Sequence, residues 1–585
     1  MQRATTALAI IGGLSLIGYG CVPNSEGQGG SGGTAHSGGK GGGGTAGSGG
    51  SAIGGTAGGG GKAGSGGSAG SGGSAGSGGS AGSGGSAGSG GSAGSGGKAG
   101  AGGSTGGSGG SAANGGTAGG GSPGSGGAAG AAGRGGGGGG AAGAGGTSSS
   151  SGTGASGNCT VTQLASTTST AIGSVGIVTF STNLSKVKSA KIDFGLTTSY
   201  GFTAPVDLTQ KDYRTLLLGM KQNKTYHYKI TASDESSTCS SEDYTITSGY
   251  VKNGGPTIKV TTKNAEALYG GFLIAGQFVQ FSSGGGAPAF ILDADAEIVW
   301  LIPASYKADV TGARMDYAGT HMWINAANVP QGTTNVHRIS MDGLQDEDFS
   351  AKFSGMNHQL TILPDETVAF YAYSSSGCED IKEFNATTGN VKTVVNSGKA
   401  QGGATACHLN NIQYSKDDDT LVFSDLDNQT ITKVKRSDGS TVWVLNGSKA
   451  TFTGDSWKGS EHGIHLLGLD RLLIFNNNSA ALAGSFGSGA GGDGSGSIAM
   501  ELSLDLTAKK ITKVWSYKAS PGIDNTVMGD LQRLPNGNTV VGYSTSGVLH
   551  EVDAKGTLLQ SLEWQKLTQF GYIEKRATLY GPPPR

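Results

Sequence analysis

The chain has 585 residues, of which 116 are glycine, and its formal net charge is −1 at pH 7. A net charge this close to zero gives no electrostatic reason to expect binding to nucleic acid or to an acidic membrane surface. Most of the glycine lies before residue 158, so the overall composition averages a low-complexity arm and an ordinary globular part.

The N-terminus has the pattern of an export signal. Arg3 provides a short positive region, and residues 7–17 form an apolar stretch that is too short for a membrane span. The segment ends at Cys21 in a sequence that resembles a bacterial lipobox, where the cysteine is acylated after cleavage. We expect a lipoprotein-type signal peptide over residues 1–21, and an ordinary secretory signal is the alternative. Val22 is not the aspartate that retains lipoproteins in the inner membrane, so we expect an exported protein, lipid-anchored at the outer membrane on its periplasmic or surface side.

The cysteine count fits lipidation of Cys21. In a protein outside the cytosol, an odd number of cysteines indicates that one of them has a role other than a disulfide within the chain. Four cysteines remain once Cys21 is set aside. Cys159 and Cys239 bracket one predicted domain, and Cys378 and Cys407 lie close together in the next. From these positions we expect two disulfides in an oxidising compartment, Cys159–Cys239 and Cys378–Cys407, although four cysteines allow three pairings.

Residues 22–157 consist mainly of glycine, serine, alanine and threonine, with the hexapeptide SAGSGG recurring over residues 68–97. Large apolar side chains are almost absent, so burial cannot offset the entropy lost on ordering. We expect a disordered tether that holds a folded part away from a lipid surface. A repeat expansion without a selected length is the alternative.

Short alternating strands with frequent turns begin after this tether and predict a β-sandwich over residues 158–250. The segments IDFGLTTSYG and LLLGMKQNKTYHYKITASD resemble a fibronectin type III domain, in which a tyrosine, here Tyr226, anchors a corner. The resemblance implies a spacing or docking role. Carbohydrate binding is the alternative, but the sequence shows no aromatic platform.

Residues 256–578 predict a six-bladed β-propeller, which makes the chain all-β. Strand pairs with a polar turn recur about every 48 residues, and a glycine-rich insertion lengthens one interval. A second, inner hairpin precedes several of these pairs. The turn positions of the outer pairs are Asp293, Asp342, Asn385, Lys435, Asp505 and Asp553.

Three of the inner hairpins are preceded by a histidine: His358, His408 and His462. Equivalent positions in successive inner hairpins should meet at one mouth of the central channel. Each histidine taken alone is more often structural, but the repetition predicts a shared site. Binding of zinc or copper is an alternative, although the wide spacing gives no local ligand motif and we assign no metal. The acidic run at 415–419 is expected to be a solvated turn, with calcium binding as the alternative.

Over roughly residues 265–575 the sequence resembles the arylsulfotransferase family. The segment CHLNNIQYSKDDDTLVFSD is similar to the family stretch in which a histidine precedes a strand. EHGIHLLGLDRLLIFNNNS and NHQLTILPDETVAFY are similar to the later and earlier histidine segments of that family. The resemblance implies sulfuryl transfer from a phenolic sulfate ester to a phenol, without a nucleotide donor or a cofactor.

The resemblance also implies roles for individual residues. His408 matches the family nucleophile and would form a sulfohistidine, because a neutral imidazole is a good nucleophile. His358 and His462 match the flanking histidines, which would contact the sulfuryl oxygens or carry the phenol proton. Asn410 would orient the ring of His408 or bind the sulfuryl group.

Two positions depart from the family pattern. The family has an arginine in the strand after the nucleophile, where this chain has Ser424, Asp425 and Leu426. An oriented cation can contribute a few kcal/mol to transition-state stabilisation, and a carboxylate would repel a sulfate ester. Lys458 is the candidate replacement cation. The second departure is Gly463, which stands in place of the family aspartate.

We therefore expect a sulfotransferase whose partners are a small-molecule aryl sulfate and a phenol. It would touch a membrane only through its lipid anchor and would not bind nucleic acid. The alternative is a catalytically degenerate propeller lipoprotein that binds a ligand or a protein partner. The three histidines favour the enzyme, and the missing arginine favours the binding protein.

Overall fold

A computed structural model describes nine segments of the chain. They are 159–251, 255–278, 288–302, 309–328, 333–375, 377–459, 461–480, 492–566 and 568–583. The predicted signal peptide with Cys21 and the predicted tether lie outside the described residues. Within these segments no helix is long and apolar enough to span a membrane.

The first folded part is a sandwich of two antiparallel sheets, in which alternate residues point into a shared apolar core. One sheet has the order β1-β2-β5, and the other has the order β4-β3-β6-β7 with β8 also paired to β6. The strands are β1 (Val161–Thr168), β2 (Gly176–Thr182), β3 (Ser189–Gly195), β4 (Phe202–Pro205), β5 (Thr215–Leu217), β6 (Thr225–Ser233), β7 (Thr238–Ser240) and β8 (Tyr244–Thr247).

A tyrosine hydrogen bond and a disulfide hold parts of the sandwich together. The buried Tyr226 accepts a hydrogen bond from the backbone N–H of Lys221 (2.8 Å), five residues upstream. This is the corner contact expected of the tyrosine, although the fibronectin type III assignment itself stays a prediction. The disulfide Cys159–Cys239 joins the chain before β1 to β7, with a Cα–Cα distance of 5.8 Å.

The described residues of the second part form six sheets, four with four strands and two with five, so the all-β prediction is confirmed. All pairings in these sheets are antiparallel except that of the short β25 (Thr453–Gly454), which pairs in parallel with β29 (Lys510–Lys518). Each of the six outer turns predicted from the sequence, from Asp293 to Asp553, joins two strands in one of these sheets. The strands are β9 (Ile258–Thr262), β10 (Phe272–Phe278), β11 (Ala289–Leu292), β12 (Ile298–Ile302), β13 (Asp309–Met315), β14 (His321–Asn328), β15 (Thr333–Ser340), β16 (Asp346–Asp348), β17 (Met356–Ile362), β18 (Thr367–Tyr373), β19 (Glu379–Asn385), β20 (Asn390–Asn396), β21 (Leu409–Ser415), β22 (Thr420–Asp425), β23 (Thr430–Lys435), β24 (Thr441–Leu445), β25 (Thr453–Gly454), β26 (Glu461–Leu466), β27 (Arg471–Asn476), β28 (Ile498–Asp505), β29 (Lys510–Lys518), β30 (Asp530–Arg533), β31 (Thr539–Tyr543), β32 (Val548–Val552), β33 (Leu558–Trp564) and β34 (Gln569–Arg576).

Helix is confined to single turns in the described segments. They are one α-helical turn, α1 (Ser397–Ala400), and the 3-10 turns Lys211–Tyr213, Ser350–Phe353 and Ser544–Ser546.

The sheets stand around a ring, as in a β-propeller. The innermost strands are β13, β17, β21, β26, β30 and β34, and each contacts the next until β34 returns to β13. Strands from both ends of the propeller sequence close the ring. β34 completes the sheet of β10, β11 and β12, and β9 adds a fifth strand beside β33. Large apolar side chains fill the spaces between neighbouring sheets.

The sandwich packs directly against two blades of the propeller. Ile172 and Leu218 of the sandwich belong to the same apolar core as Phe272 and Trp300 of the propeller. Polar contacts at the edge of this core fix the orientation of the sandwich on the propeller. They are Arg214 with Asp342 (2.5 Å), Lys221 with Asp295 (2.5 Å), Ser169 Oγ with the Asp342 carbonyl (2.5 Å) and Ser174 Oγ with the Val299 carbonyl (2.7 Å).

Candidate functional site

Three successive innermost strands bring the predicted histidines together at one mouth of the ring. His358 lies in β17, His408 directly precedes β21, and His462 is the second residue of β26. The Nε2 atoms of His358 and His408 are 3.0 Å apart, so one of them donates a hydrogen bond to the other. The ring of His462 meets the ring of His358 edge-on, with centroids 5.9 Å apart.

A β-bulge positions His358. The pairing of β17 with β18 shifts between Met356 and Leu360, and His358 has a φ of 45°, in the left-handed region that non-glycine residues rarely adopt. Both sides of this backbone are held by hydrogen bonds. Its N–H donates to Asn357 Oδ1 (3.0 Å), and its carbonyl accepts from Asn325 Nδ2 (2.7 Å) on the neighbouring blade. Strained backbone of this kind concentrates at functional sites.

The hydrogen bonds around His462 settle its tautomer. Asn477 Nδ2 donates to the carbonyls of Asn525 (2.6 Å) and Met528 (2.8 Å), so its Oδ1 must be the acceptor. His462 Nδ1 lies 2.5 Å from that oxygen and therefore carries the proton. The Nε2 atom of the neutral ring then has a lone pair available for chemistry.

All three imidazoles are held in the neutral form. Burial lowers the pKa of His358 well below its usual value, and His408 and His462 lower it further. Burial also lowers the pKa of His408, against an opposing effect of the Asp425 charge. Burial lowers the pKa of His462 to about 3, although its hydrogen bond to Asn477 acts in the opposite direction. Neutral imidazoles are the form required of a nucleophile or a base.

Asp425, which stands near the expected arginine, has a structural role. Its carboxylate is fully buried and accepts hydrogen bonds from the backbone of His408 (3.1 Å) and Asp427 (2.9 Å). It also accepts from the side chains of Gln401 (2.6 Å) and Asn428 (2.8 Å). The carboxylate thus closes the turn after β22 and fixes the backbone that carries His408.

Gly463, the second departure from the family pattern, has a steric explanation. A β-carbon at this position would lie 2.8 Å from the Cα of Asp530 and 3.2 Å from the Cβ of Phe475. Because β26 and β30 approach this closely, an aspartate would not fit here without moving one innermost strand.

The hydrogen bonds described for the two residues predicted to bind substrate go to the backbone or to other side chains. Asn410 Nδ2 donates to the Glu461 carbonyl (3.2 Å), which ties β21 to β26, while its Oδ1 is buried without a hydrogen-bond partner among the described residues. Lys458 has an exposed side chain, and its carbonyl accepts from Asn476 (2.7 Å). The replacement of the arginine by Lys458 therefore stays a prediction.

Sequence reasoning missed two buried carboxyls behind the histidines. Glu379 accepts hydrogen bonds from the Leu409 N–H and from Asn357 Nδ2 (2.9 Å), and Glu461 accepts one from the Trp457 indole. Burial raises the pKa of Glu379 and of Glu461 to about 8. The asparagine run at 476–478, which holds His462, was visible in the sequence but was not assigned this role.

The alternative metal and calcium sites find no support in the part of the chain that the structure describes. No group of three His, Cys, Asp or Glu residues there is arranged to hold a metal ion. In the acidic run, Asp418 pairs with Lys433 (2.7 Å) and accepts from Thr420 Oγ1 (2.7 Å), and Asp419 accepts from the Tyr414 hydroxyl (3.0 Å).

The fold and this cluster define a β-propeller with three neutral histidines at one mouth of its ring. Residues 318–564 match the family model described as "Arylsulfotransferase (ASST)", which confirms the resemblance to that family and supports sulfuryl transfer as the broad activity. The match includes all three histidines.

Other comparisons are more distant. No curated protein matches the chain. Among solved structures, TolB from Acinetobacter baumannii has a TM-score of 0.37 at 11% identity and covers 61% of this chain and 81% of its own. The Cps50 (Swd1) β-propeller domain of Myceliophteria thermophila has a TM-score of 0.34 at 10% identity and covers 56% and 90%. Similarity at this level carries no functional argument.

Proposed function

We propose that the protein transfers a sulfuryl group from a phenolic sulfate ester to a phenol through a sulfohistidine, without a nucleotide donor. The observation that carries the proposal is the meeting of three neutral imidazoles from three successive blades, within a segment that matches the arylsulfotransferase family. In the first step a histidine lone pair forms an N–S bond while the S–O bond to the aryl group breaks. In the second step the acceptor oxygen forms a new S–O bond, the N–S bond breaks, and the phenol proton passes to a neutral histidine.

Two histidines are candidates for the nucleophile. The resemblance assigns this role to His408. The hydrogen bonds favour His462, because its Nδ1–H is held by Asn477 and its Nε2 lone pair is left available. His408 Nε2, by contrast, already shares a hydrogen bond with His358. In either arrangement the other two rings would contact the sulfuryl oxygens.

Turnover tests the proposal directly. The full chain is incubated with 4-nitrophenyl sulfate and phenol, and nitrophenol release is followed. We expect phenol-dependent release that falls at least about a thousandfold when the nucleophile is replaced, in His408→Asn or His462→Asn. His227→Asn, in the sandwich, is the matched control and should leave the rate unchanged. Peptide mapping of the trapped adduct shows which histidine carries the sulfuryl group.

A binding protein without catalysis is the second candidate function. The neutral histidines offer no positive charge, Asp425 stands near the expected arginine, and Lys458 makes no described hydrogen bond to the rings. Absence of nitrophenol release from protein shown to be folded would support this alternative. Release that does not depend on phenol would indicate hydrolysis instead of transfer.

We further propose an exported, lipid-anchored protein at the outer membrane. The disulfides Cys159–Cys239 and Cys378–Cys407 support the exported location, because such bonds persist in oxidising compartments. Mass spectrometry of the membrane-extracted protein tests for the lipid on Cys21.

A further inference from the structure

A second opening lies at the other end of the ring from the histidines. The histidines lie within the first three residues of their innermost strands or just before them. The wall of this cavity includes the last residues of several innermost strands, such as Met315, Ile362 and Ser415, and extends back to Gln359 and Asp530. Pro582 and Pro583 form part of its rim. Its volume of about 520 Å³ is in the range of small-molecule sites.

Polar side chains in the wall of this cavity lack partners. Gln359 is 1% exposed, and neither atom of its amide makes a hydrogen bond to a described residue. The Nε2 atom of His465 is also buried without a hydrogen-bond partner among the described residues, whereas Glu574 Oε1 forms an ion pair with Arg576 (3.4 Å). An unpaired buried polar group costs about 1–3 kcal/mol, so a cluster of them around a cavity indicates a ligand with both donors and acceptors.

The charges around the cavity are balanced. Arg314 pairs with Asp530 (3.4 Å), and Arg533 pairs with Glu501 (2.6 Å), so a carboxylate offsets the charge of each guanidinium, while Arg533 Nε stays a buried donor without a partner among the described residues. Burial, together with the charges of Arg314 and Arg533, lowers the pKa of His465 to about 4, which leaves this ring neutral as well. A net positive field that would select sulfate or phosphate is therefore missing, and a neutral polar ligand fits better.

Aromatic rings complete the wall. Tyr317 and Tyr414 line the cavity and are both half-buried. A flat aromatic ring packs against the apolar C–H face of a sugar. Amide, imidazole and carboxylate groups form hydrogen bonds with sugar hydroxyls, which both donate and accept. We propose that this cavity binds a neutral monosaccharide or disaccharide. The site is separate from the histidine cluster, and the proposal does not depend on sulfuryl transfer.

Calorimetric titration of the full chain tests the proposal. The probes are glucose, galactose, mannose, maltose, lactose and cellobiose. We expect saturable binding of at least one sugar, weakened at least tenfold by Gln359→Leu and by Tyr414→Leu. Because the Gln359 amide has no partner to lose, Gln359→Leu should not lower Tm, which separates loss of binding from loss of folding. The matched controls are Gln345→Leu and Tyr250→Leu, both at exposed positions, and they should bind normally.

Three results would overturn the proposal. The first is no saturable binding of any of the six sugars. The second is binding of inorganic sulfate without binding of a sugar, which would make this an anion site. The third is sugar binding that survives both Gln359→Leu and Tyr414→Leu, which would place the ligand elsewhere. His462→Asn should leave sugar binding unchanged, so failure of the sulfuryl-transfer proposal is distinguishable from failure here.

Discussion

The mouth of the ring where the histidines lie contains ionisable residues that are buried. His462 is 3% exposed and Glu461 beside it is fully buried, yet their pKa values move in opposite senses. Burial favours the neutral form of each, so the imidazole loses its proton more easily and the carboxyl keeps its proton longer. The cost of removing charged groups from water therefore favours neutral imidazoles and a neutral Glu461 carboxyl at neutral pH.

Replacement of Glu461 by glutamine should change how stability depends on pH. The folded-state pKa of Glu461 is raised to about 8 from an ordinary value of 4.5, so its contribution is complete below pH 4.5 and is lost as pH rises through 8. We expect this contribution to the wild-type free energy of unfolding to fall between about pH 5 and pH 8, and Glu461→Gln to reduce that slope by up to about 1.4 kcal/mol per pH unit. Urea denaturation at several pH values measures the slope.

The exposed Glu266 provides the control, since Glu266→Gln should leave the slope as it is. The neighbouring Glu379 keeps its own raised pKa in the variant, so part of the slope should remain. Equal slopes for wild type and Glu461→Gln would show that Glu461 does not titrate in this range.

At the scale of strands, the disulfide Cys378–Cys407 holds the start of β19 against the chain that enters β21. The Cα atoms of the pair are 4.5 Å apart, and the residues that follow them, Glu379 and His408, belong to the site. The Leu409 N–H donates to Glu379, so a covalent bond and a hydrogen bond act on the same pair of segments. This arrangement fixes the backbone of His408 independently of its ring.

Removal of that disulfide should loosen the site locally. Closing a loop of this length typically contributes about 2–4 kcal/mol, so Cys378→Ser with Cys407→Ser should lower stability by that amount. Amide hydrogen exchange should also become faster in residues 408–412. Cys159→Ser with Cys239→Ser is the matched control, and it should lower stability without changing exchange in that segment. Unchanged exchange in both variants would mean that the disulfide does not hold the strand entry.

Local patterns made much of this architecture predictable. The outer turns begin with residues such as Asp293 and Asp553, whose carboxylates accept backbone hydrogen bonds within the turn, so each turn is encoded where it occurs. The three histidines were predicted to lie together because they occupy equivalent positions in the repeat. The buried role of Asp425 and the steric need for Gly463 did not follow, because each depends on groups that are distant in sequence, such as Gln401 and Asp530.

At the scale of the whole molecule, the sandwich and the propeller share an apolar cluster at their junction, in addition to their own cores, and are predicted to unfold together. The Tyr580 hydroxyl links the two parts, because it donates to the Leu216 carbonyl (2.9 Å) and accepts from the Leu218 N–H (2.8 Å). Tyr580→Phe leaves both backbone groups unpaired and should cost about 1–3 kcal/mol. Scanning calorimetry should show one transition moved to lower temperature.

Tyr250→Phe is the control for this measurement, because Tyr250 is 70% exposed at the end of the sandwich. It should leave the transition where it is. Two resolved transitions in Tyr580→Phe, or in the unmodified chain, would show that the sandwich unfolds by itself and that the shared core does not couple the two parts.

Closure of the ring has a consequence for the order of synthesis. The innermost strand of the first blade, β34, follows every other described strand in the chain, and β9 at the start waits for β33 to be made. Several blades are therefore synthesised before the first blade is complete. The ring that positions the histidines cannot close during that time. Closure of the ring therefore has to follow the synthesis of all the other described strands, and the blades made earlier expose the faces that their neighbours later cover.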